Sequence, residues 1–370
     1  MDDLNQNPKL GSADRPNSYI GRSVPRERAK KLLEGKGKYV DDILLPRMVH
    51  LSYVRSPFAH AKIKSINTEN AKKIPGVLNV FTIDDIEKVC TPWQGVLGHL
   101  GEMRSPTQYP LAKDVVRWQG EPVAVVVANK RAVAEDALEL VEIDYEDLDA
   151  QLDMETAMDK STKVIHDDLG NNLFWTRTVN QGDVSEAFKQ SHIVEEVTLD
   201  FARHTGVTLE TRAIVADWDS SEERMTIYHN GQAPHMMQSI IAKHLNISEG
   251  LVRIISCDVG GSFGIKVHVY PDEMVTVAVS KLLKRPVKFV ADRLESYSTD
   301  IHSRCHKISG KIGVDDKGKI LAFEIDDLSG IGPFSVYPRT SAIETNQVLN
   351  LSAASYVVPN YKAKGTVVFQ

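Results

Sequence analysis

An α+β fold in two successive units is what this sequence predicts, and three observations predict it. A continuous apolar run, "EPVAVVVA" at residues 121–128, suits a strand buried on both faces. Helix-favouring "NKRAVAEDALELV" follows it, and then strand-like "EIDYEDL", so strand and helix alternate in the first half. The second half holds two hairpin patterns, "TRAIVADWDSSEERMTIYHN" and "KISGKIGVDDKGKILAFEIDDLSG", with turns at residues 219–222 and 315–318.

In chain order, residues 1–20 read as a flexible tail rich in Asn, Asp, Ser and Pro. Residues 21–147 form the first unit. Within it "VHLSYVRS" (49–56) and "AHAKIKSIN" (59–67) read as strands, and "TIDDIEKV" (82–89) opens like a capped helix. Residues 148–172 are polar, acidic and weakly periodic, as a linker crossing the surface should be. The second unit, residues 173–370, starts with a helix that Asp183 caps and Glu186 reciprocates. "PHMMQSIIAKHL" reads as a helix with Pro234 in its first turn, and "MVTVAVSKLLKR" (274–285) as an apolar helix. The final run "VVPNYKAKGTVVFQ" is β-like and closes on Phe369 and Gln370 without a polar taper. A partner chain is expected to complete it, unless the chain is a fragment.

At 370 residues, 42% hydrophobic and 25% charged, the chain has material for two or three cores. A net charge of −6 with no basic block argues against nucleic acid as a partner. No apolar run reaches the length of a membrane span, and no signal-peptide order opens the chain. The three cysteines, Cys90, Cys257 and Cys305, are dispersed, which fits the cytoplasm and provides no iron–sulfur motif.

The most unusual stretch is "DVGGSFGIKVHVYPDE", a glycine-rich turn between a strand and a helix. Its glycines are one residue too close for a phosphate loop of the Walker type, and the dinucleotide fingerprint is absent. Six residues separate the turn from Pro271, so no helix dipole aims directly at it. Two readings stay open: a structural corner, or a bare backbone surface for some other ligand. His302 and His306, or His235 and His244, have no third ligand at metal spacing, and metal binding by protein side chains is not expected. Neither a serine nor a cysteine nucleophile is expected, and no carboxylate stands in a setting that raises its pKa. Glu210 comes nearest, and a plain salt bridge accounts for it.

Together these segments resemble one family. "GKGKYVDDILLPRMVHLSYVRSPFAHAKI" is similar to the opening of an α/β-hammerhead domain, with Gly35, Gly37, Tyr39, Asp41, Asp42, Arg55, Ser56, Pro57 and His60 matching. "HTGVTLETRA", "NGQAPH", "DVGGSFGIKVHVYPDE" and "PVKFVADRLE" follow in the family's order. The chain thus resembles the N-terminal half of the molybdopterin-binding large subunit of the xanthine dehydrogenase, aldehyde oxidase and aerobic carbon monoxide dehydrogenase family. The resemblance implies an α/β-hammerhead domain followed by the first part of a molybdopterin-binding domain with mixed sheets and helices. It implies that Gln232, Gly260, Gly261, Ser262, Phe263 and Gly264 contact molybdopterin, whose cytosine dinucleotide form is among the alternatives. In the family the metal is held by the cofactor rather than by side chains, and the cofactor carries the redox chemistry.

The implied activity is dehydrogenation or hydroxylation of an aldehyde, an N-heterocycle or a similar small molecule, with oxygen from water. Val267 stands where purine oxidisers carry Glu, and Gln347 near where they carry Arg, so purine oxidation is disfavoured. The family's base glutamate belongs to the second half of the subunit, so no catalytic residue is expected in this chain. The implied partners are that second half as a separate chain, a small Fe–S subunit and a medium FAD subunit. The rival expectation is a scaffold or truncated remnant of the same fold without cofactor.

Overall fold

A computed structural model describes residue 19, residues 23–26 and residues 29–370. The tail expected at residues 1–20 lies outside the described residues, Tyr19 excepted. The first half carries β1 (Val49–Arg55), β2 (Ala61–Asn67), β3 (Val77–Phe81), β4 (Val115–Val116), β5 (Pro122–Ala128) and β6 (Glu142–Asp147). The second carries β7 (Leu173–Gln181), β8 (Ile193–Phe201), β9 (Ala213–Asp219), β10 (Arg224–His229) and β11 (Val252–Ser256). It continues with β12 (Val287–Val290), β13 (His306–Val314), β14 (Ile320–Gly330) and β15 (Asn360–Val368).

Among the described residues these strands form three sheets. The largest has the order β11-β10-β9-β12-β1-β5-β3, the second β7-β15-β14-β13-β8, and the smallest β4-β2-β6. The largest sheet is shared between the two halves, because β1 pairs in parallel with β12. The apolar run at 121–128 becomes β5, buried along its whole length. Val125 and Val127 join the core beneath the helix Pro271–Leu283, while Ala124, Val126 and Ala128 pack with the helix Arg131–Leu138. Each such valine contributes roughly 1.5–3 kcal/mol by leaving water.

Most local expectations match. The helix Ile83–Ile86 has the Thr82–Asp85 capping box, and Pro234 opens the helix Pro234–His244. The box expected at Asp183 is only half made. Asp183 accepts from the Glu186 amide at 3.0 Å, but its own amide donates to the Asn360 side chain at 3.0 Å. Residues 148–172 run over the surface but are anchored by Asn172. Its side chain accepts from the Ile165 amide and donates to the carbonyls of Ala157 and Lys163.

The last strand overturns one expectation. β15 faces no gap: it lies between β7 and β14, and Val367, Val368 and Phe369 are fully buried. Phe369 packs edge-on to Phe174 and His166. Among the described residues the edges of this sheet are β7 and β8, and all nine residues of β8 are exposed.

Candidate functional site

Three chain segments converge at one end of the largest sheet. β10 and β11 are parallel neighbours, so their carboxyl ends lie together, and β9 runs antiparallel to β10, so its start joins them. The register places Ile214, His229 and Ser256 in one row. A few residues beyond that row stand Glu210, Gln232 and the turn 260–264. Ligands of α/β sheets commonly collect outside such carboxyl ends.

The turn has the backbone that its glycines permit. Gly261 has φ +102°, Phe263 +49° and Gly264 +93°. Phe263 is a rare non-glycine in the left-handed region, and its ring is 80% exposed. A bulky apolar side chain held in strain and left in solvent marks a functional surface more than a corner. A Cβ on Gly264 would meet nothing within 4 Å, so that side of the turn is open. Among the described residues, no hydrogen bond engages the amides of Gly261, Ser262, Phe263 and Gly264, which leaves a run of donors for a ligand.

Gln232 meets this turn. Its side-chain oxygen accepts from the Ser262 hydroxyl, and its amide donates to the Lys266 carbonyl at 3.1 Å. The Lys266 amide in turn donates to the Ser262 hydroxyl at 3.2 Å. So the structure brings together all six residues singled out from the sequence. Residues 260–264 also spell Gly-x-Ser-x-Gly, the pattern of a nucleophile elbow, which the sequence reading passed over. The geometry gives it no base, since both hydrogen-bond partners of the Ser262 hydroxyl are Gln232 and the Lys266 amide.

Beneath the turn lies a buried ionic cluster that sequence reasoning missed. Arg212, wholly buried, donates to Asp300 at 2.6 Å, to Asp272 at 2.5 and 3.0 Å, and to Thr299 at 2.8 Å. Its guanidinium lies 3.8 Å from the Tyr270 ring centroid. Asp272 also receives Arg55 at 3.1 Å, and Arg55 reaches Glu295 at 2.9 Å. Burial alone would raise Asp272, but the two guanidiniums hold it below the usual carboxylate range. Asp272 and Glu273 sit in the first turn of the helix Pro271–Leu283, where the macrodipole favours negative charge. Their location in "YPDEMV", directly before an apolar helix, was the available signal.

Other expectations need correcting. Glu121 is a carboxylate in an apolar setting: burial pushes it up to about 7, against hydrogen bonds from the Arg117 and Trp118 amides. Glu210 does form the expected salt bridge, but with Lys266 at 3.0 Å rather than with neighbouring Arg212. Cys257 lies just past β11 and is half-buried. The histidine pairs separate. His302 is exposed, while His306 is buried between Asp327 at 2.8 Å and Glu344 at 3.6 Å. His235 is exposed and His244 bonds Thr91 and Tyr337. Among the described residues no group of three His, Cys, Asp or Glu side chains could hold a metal ion.

Residues 165–370 match the molybdopterin cofactor-binding domain, and residues 34–149 the a/b hammerhead domain of aldehyde oxidase and xanthine dehydrogenase. The chain belongs to the molybdopterin cofactor-binding domain family. This family member is 35% identical over 359 residues to the nicotine 6-hydroxylase large subunit of Paenarthrobacter nicotinovorans, covering 95% of this chain and 44% of that protein. The quinoline 2-oxidoreductase structure from Pseudomonas putida 86 superposes with a TM-score of 0.91 at 30% identity, over 95% of this chain and 44% of that one. The reconstituted CO dehydrogenase of Oligotropha carboxidovorans gives 0.86 at 30% identity, over 94% of this chain and 44% of that one. The chain therefore spans less than half the length of these relatives. By contrast, the nicotinate dehydrogenase large molybdopterin subunit of Eubacterium barkeri is 28% identical and is covered over 79% of its length, with 95% of this chain aligned. No helix among the described residues is long and apolar enough to cross a membrane.

Proposed function

We propose that the turn 260–264, with Gln232, holds molybdopterin in a multi-subunit cytoplasmic hydroxylase or dehydrogenase. The observation that carries this reading is the meeting of Gln232 with a turn whose four successive amides are unpaired among the described residues and whose Phe263 is exposed. Such a surface fits a large polar cofactor: backbone donors approach it closely where glycine removes the Cβ, and a neutral amide contacts oxo groups without competing as a charged ligand. When bound, the cofactor supplies the metal centre that takes two electrons from substrate as water-derived oxygen is added. This chain's residues bind and orient it; the base that handles the substrate proton is assigned to a second polypeptide.

The substrate class is an aldehyde, an N-heterocycle or a similar small molecule. Val267, three residues past the turn and half-buried, is no carboxylate, which argues against purines. Electrons pass to Fe–S and FAD subunits. The second polypeptide corresponds to the remaining half of the longer relatives. Two observations support it: a relative of which this chain covers 79% is itself named a large molybdopterin subunit, and β8 offers an edge with exposed Ile193, Val197, Leu199 and Phe201. An exposed apolar edge strand is a template for strand addition.

The test is purification of the native protein with whatever accompanies it, followed by molybdenum and pterin analysis. Metal together with a companion chain and dye-linked oxidation of N-heterocycles supports the reading. A solitary protein without metal supports the scaffold alternative.

A further inference from the structure

The feature that the proposed function leaves unused is the half-buried carboxylate of Glu210. Its Oε2 accepts the Gly260 amide at 2.7 Å and the Lys266 ammonium at 3.0 Å. Its own amide donates to the Gly260 carbonyl at 3.1 Å, so the two residues are paired in both directions. A Cβ on Gly260 would lie 2.4 Å from the Glu210 Cβ, which shows how closely the backbone is drawn in. Lys266 is 3% exposed and has its backbone carbonyl on the Gln232 amide. Glu210 thus grips the entry of the turn through Gly260 and its exit through Lys266, and Lys266 passes the constraint to Gln232. Its second oxygen, Oε1, is buried and makes no hydrogen bond. A buried orphan acceptor is costly unless something requires the carboxylate there.

We propose that Glu210 is the positioning residue of the 260–264 turn, fixing the spacing between its free amides and Gln232 before any ligand arrives. The proposal deepens the molybdopterin reading and rests on it only for the identity of the ligand. Glu210 acts through the backbone and through Lys266, and it does not touch the ligand. Burial pulls the Lys266 ammonium below its ordinary pKa, and Glu210 is the foremost of the carboxylates, with Asp300 and Glu273, that oppose this. Removing Glu210 alone therefore strands a buried cation and endangers the fold.

The decisive variants change both residues in the native complex. Glu210→Leu with Lys266→Met removes the acceptor for Gly260 and leaves no unpaired charge. Glu210→Gln with Lys266→Met also removes both charges but keeps an acceptor for the Gly260 amide. The readouts are hydrogen exchange of residues 258–266, pterin content per chain and thermal midpoint. The Leu variant should exchange the Gly260 amide about tenfold faster, the worth of one lost hydrogen bond. It should also purify with severalfold less pterin, at a midpoint matching that of the Gln variant. The Gln variant should regain the Gly260 protection and hold more pterin than the Leu variant, though less than wild type because the Lys266 arm is lost in both. Wild-type exchange and pterin content in the Leu variant would overturn the proposal, as would equal loss in both variants. If the wild-type complex holds no pterin but exchange still separates the two variants, the positioning role stands and the ligand assignment falls.

Discussion

Glu210 and Arg212 are two residues apart and lead opposite lives. Arg212 is fully buried, and its donors reach Asp272, Asp300 and Thr299 over the face of Tyr270. Glu210 stands at the rim, holds a strained turn and keeps one oxygen unpaired. The region around Arg212 is a rigid base that fixes the helix Pro271–Leu283 against the sheet. The region around Glu210 is an open cap, with exposed Phe263 and free amides. The difference points to a separation of stability from proposed binding: Arg212 ties Asp272 and Asp300 together below the turn, with one Glu273 oxygen left without a hydrogen bond, while four amides of the turn stay unpaired among the described residues.

If that separation is real, substitutions below the turn should unfold the protein, and substitutions within it should leave the fold and lose the ligand. Arg212→Met is expected to have the largest effect, about 3–5 kcal/mol in denaturant unfolding, because it leaves Asp272 and Asp300 buried without their main counter-charge. A loss below 1 kcal/mol would mean that the base is not rigid.

Glu121 sharpens the comparison through pH. Its folded-state pKa of about 7 lies above the ordinary 4.5, so the folded state keeps its proton longer than the unfolded one. Stability attributable to this group is fully present below pH 4.5 and lost as pH rises through 7, a decline of roughly 3 kcal/mol. Unfolding measured from pH 4.5 to 8 should show that decline in the native sequence and a flatter profile in Glu121→Gln. Parallel profiles would show that Glu121 ionises freely.

Gly264→Ala should cost about 1 kcal/mol, because φ +93° disfavours a Cβ that otherwise meets no atom. Phe263→Ala should change stability least, within about 0.5 kcal/mol for so exposed a ring, yet lower pterin retention in the purified complex. Calorimetry paired with pterin fluorescence separates the two effects.

Much of the fold was legible because local chemistry decided it. The run at 121–128 suits a strand buried on both faces, and Pro234 and Thr82 mark helix starts through local backbone chemistry. The glycines of 260–264 and the Gln232 segment were legible as a candidate site through family order, and the parallel pairing of β10 with β11 explains why they meet. What stayed hidden depends on contacts distant in sequence. Arg212 meets Asp272 and Asp300 across 60 and 88 residues, and no local pattern announces that pairing. The same holds for β15, whose apolar end looked uncovered until β7 and β14 were seen on either side of it. β8, "IVEEVTLDF", is exposed along its length, and the sheet order places it at an edge among the described residues, which no local pattern announces.

The central claim is that the cap holds molybdopterin, and pterin content of the native complex tests it most directly. Stoichiometric pterin in the wild type, with severalfold less in Phe263→Ala at an unchanged thermal midpoint, is the predicted result. A correctly folded wild-type complex without pterin, or full pterin in Phe263→Ala and in the Glu210→Leu, Lys266→Met double variant alike, would contradict it.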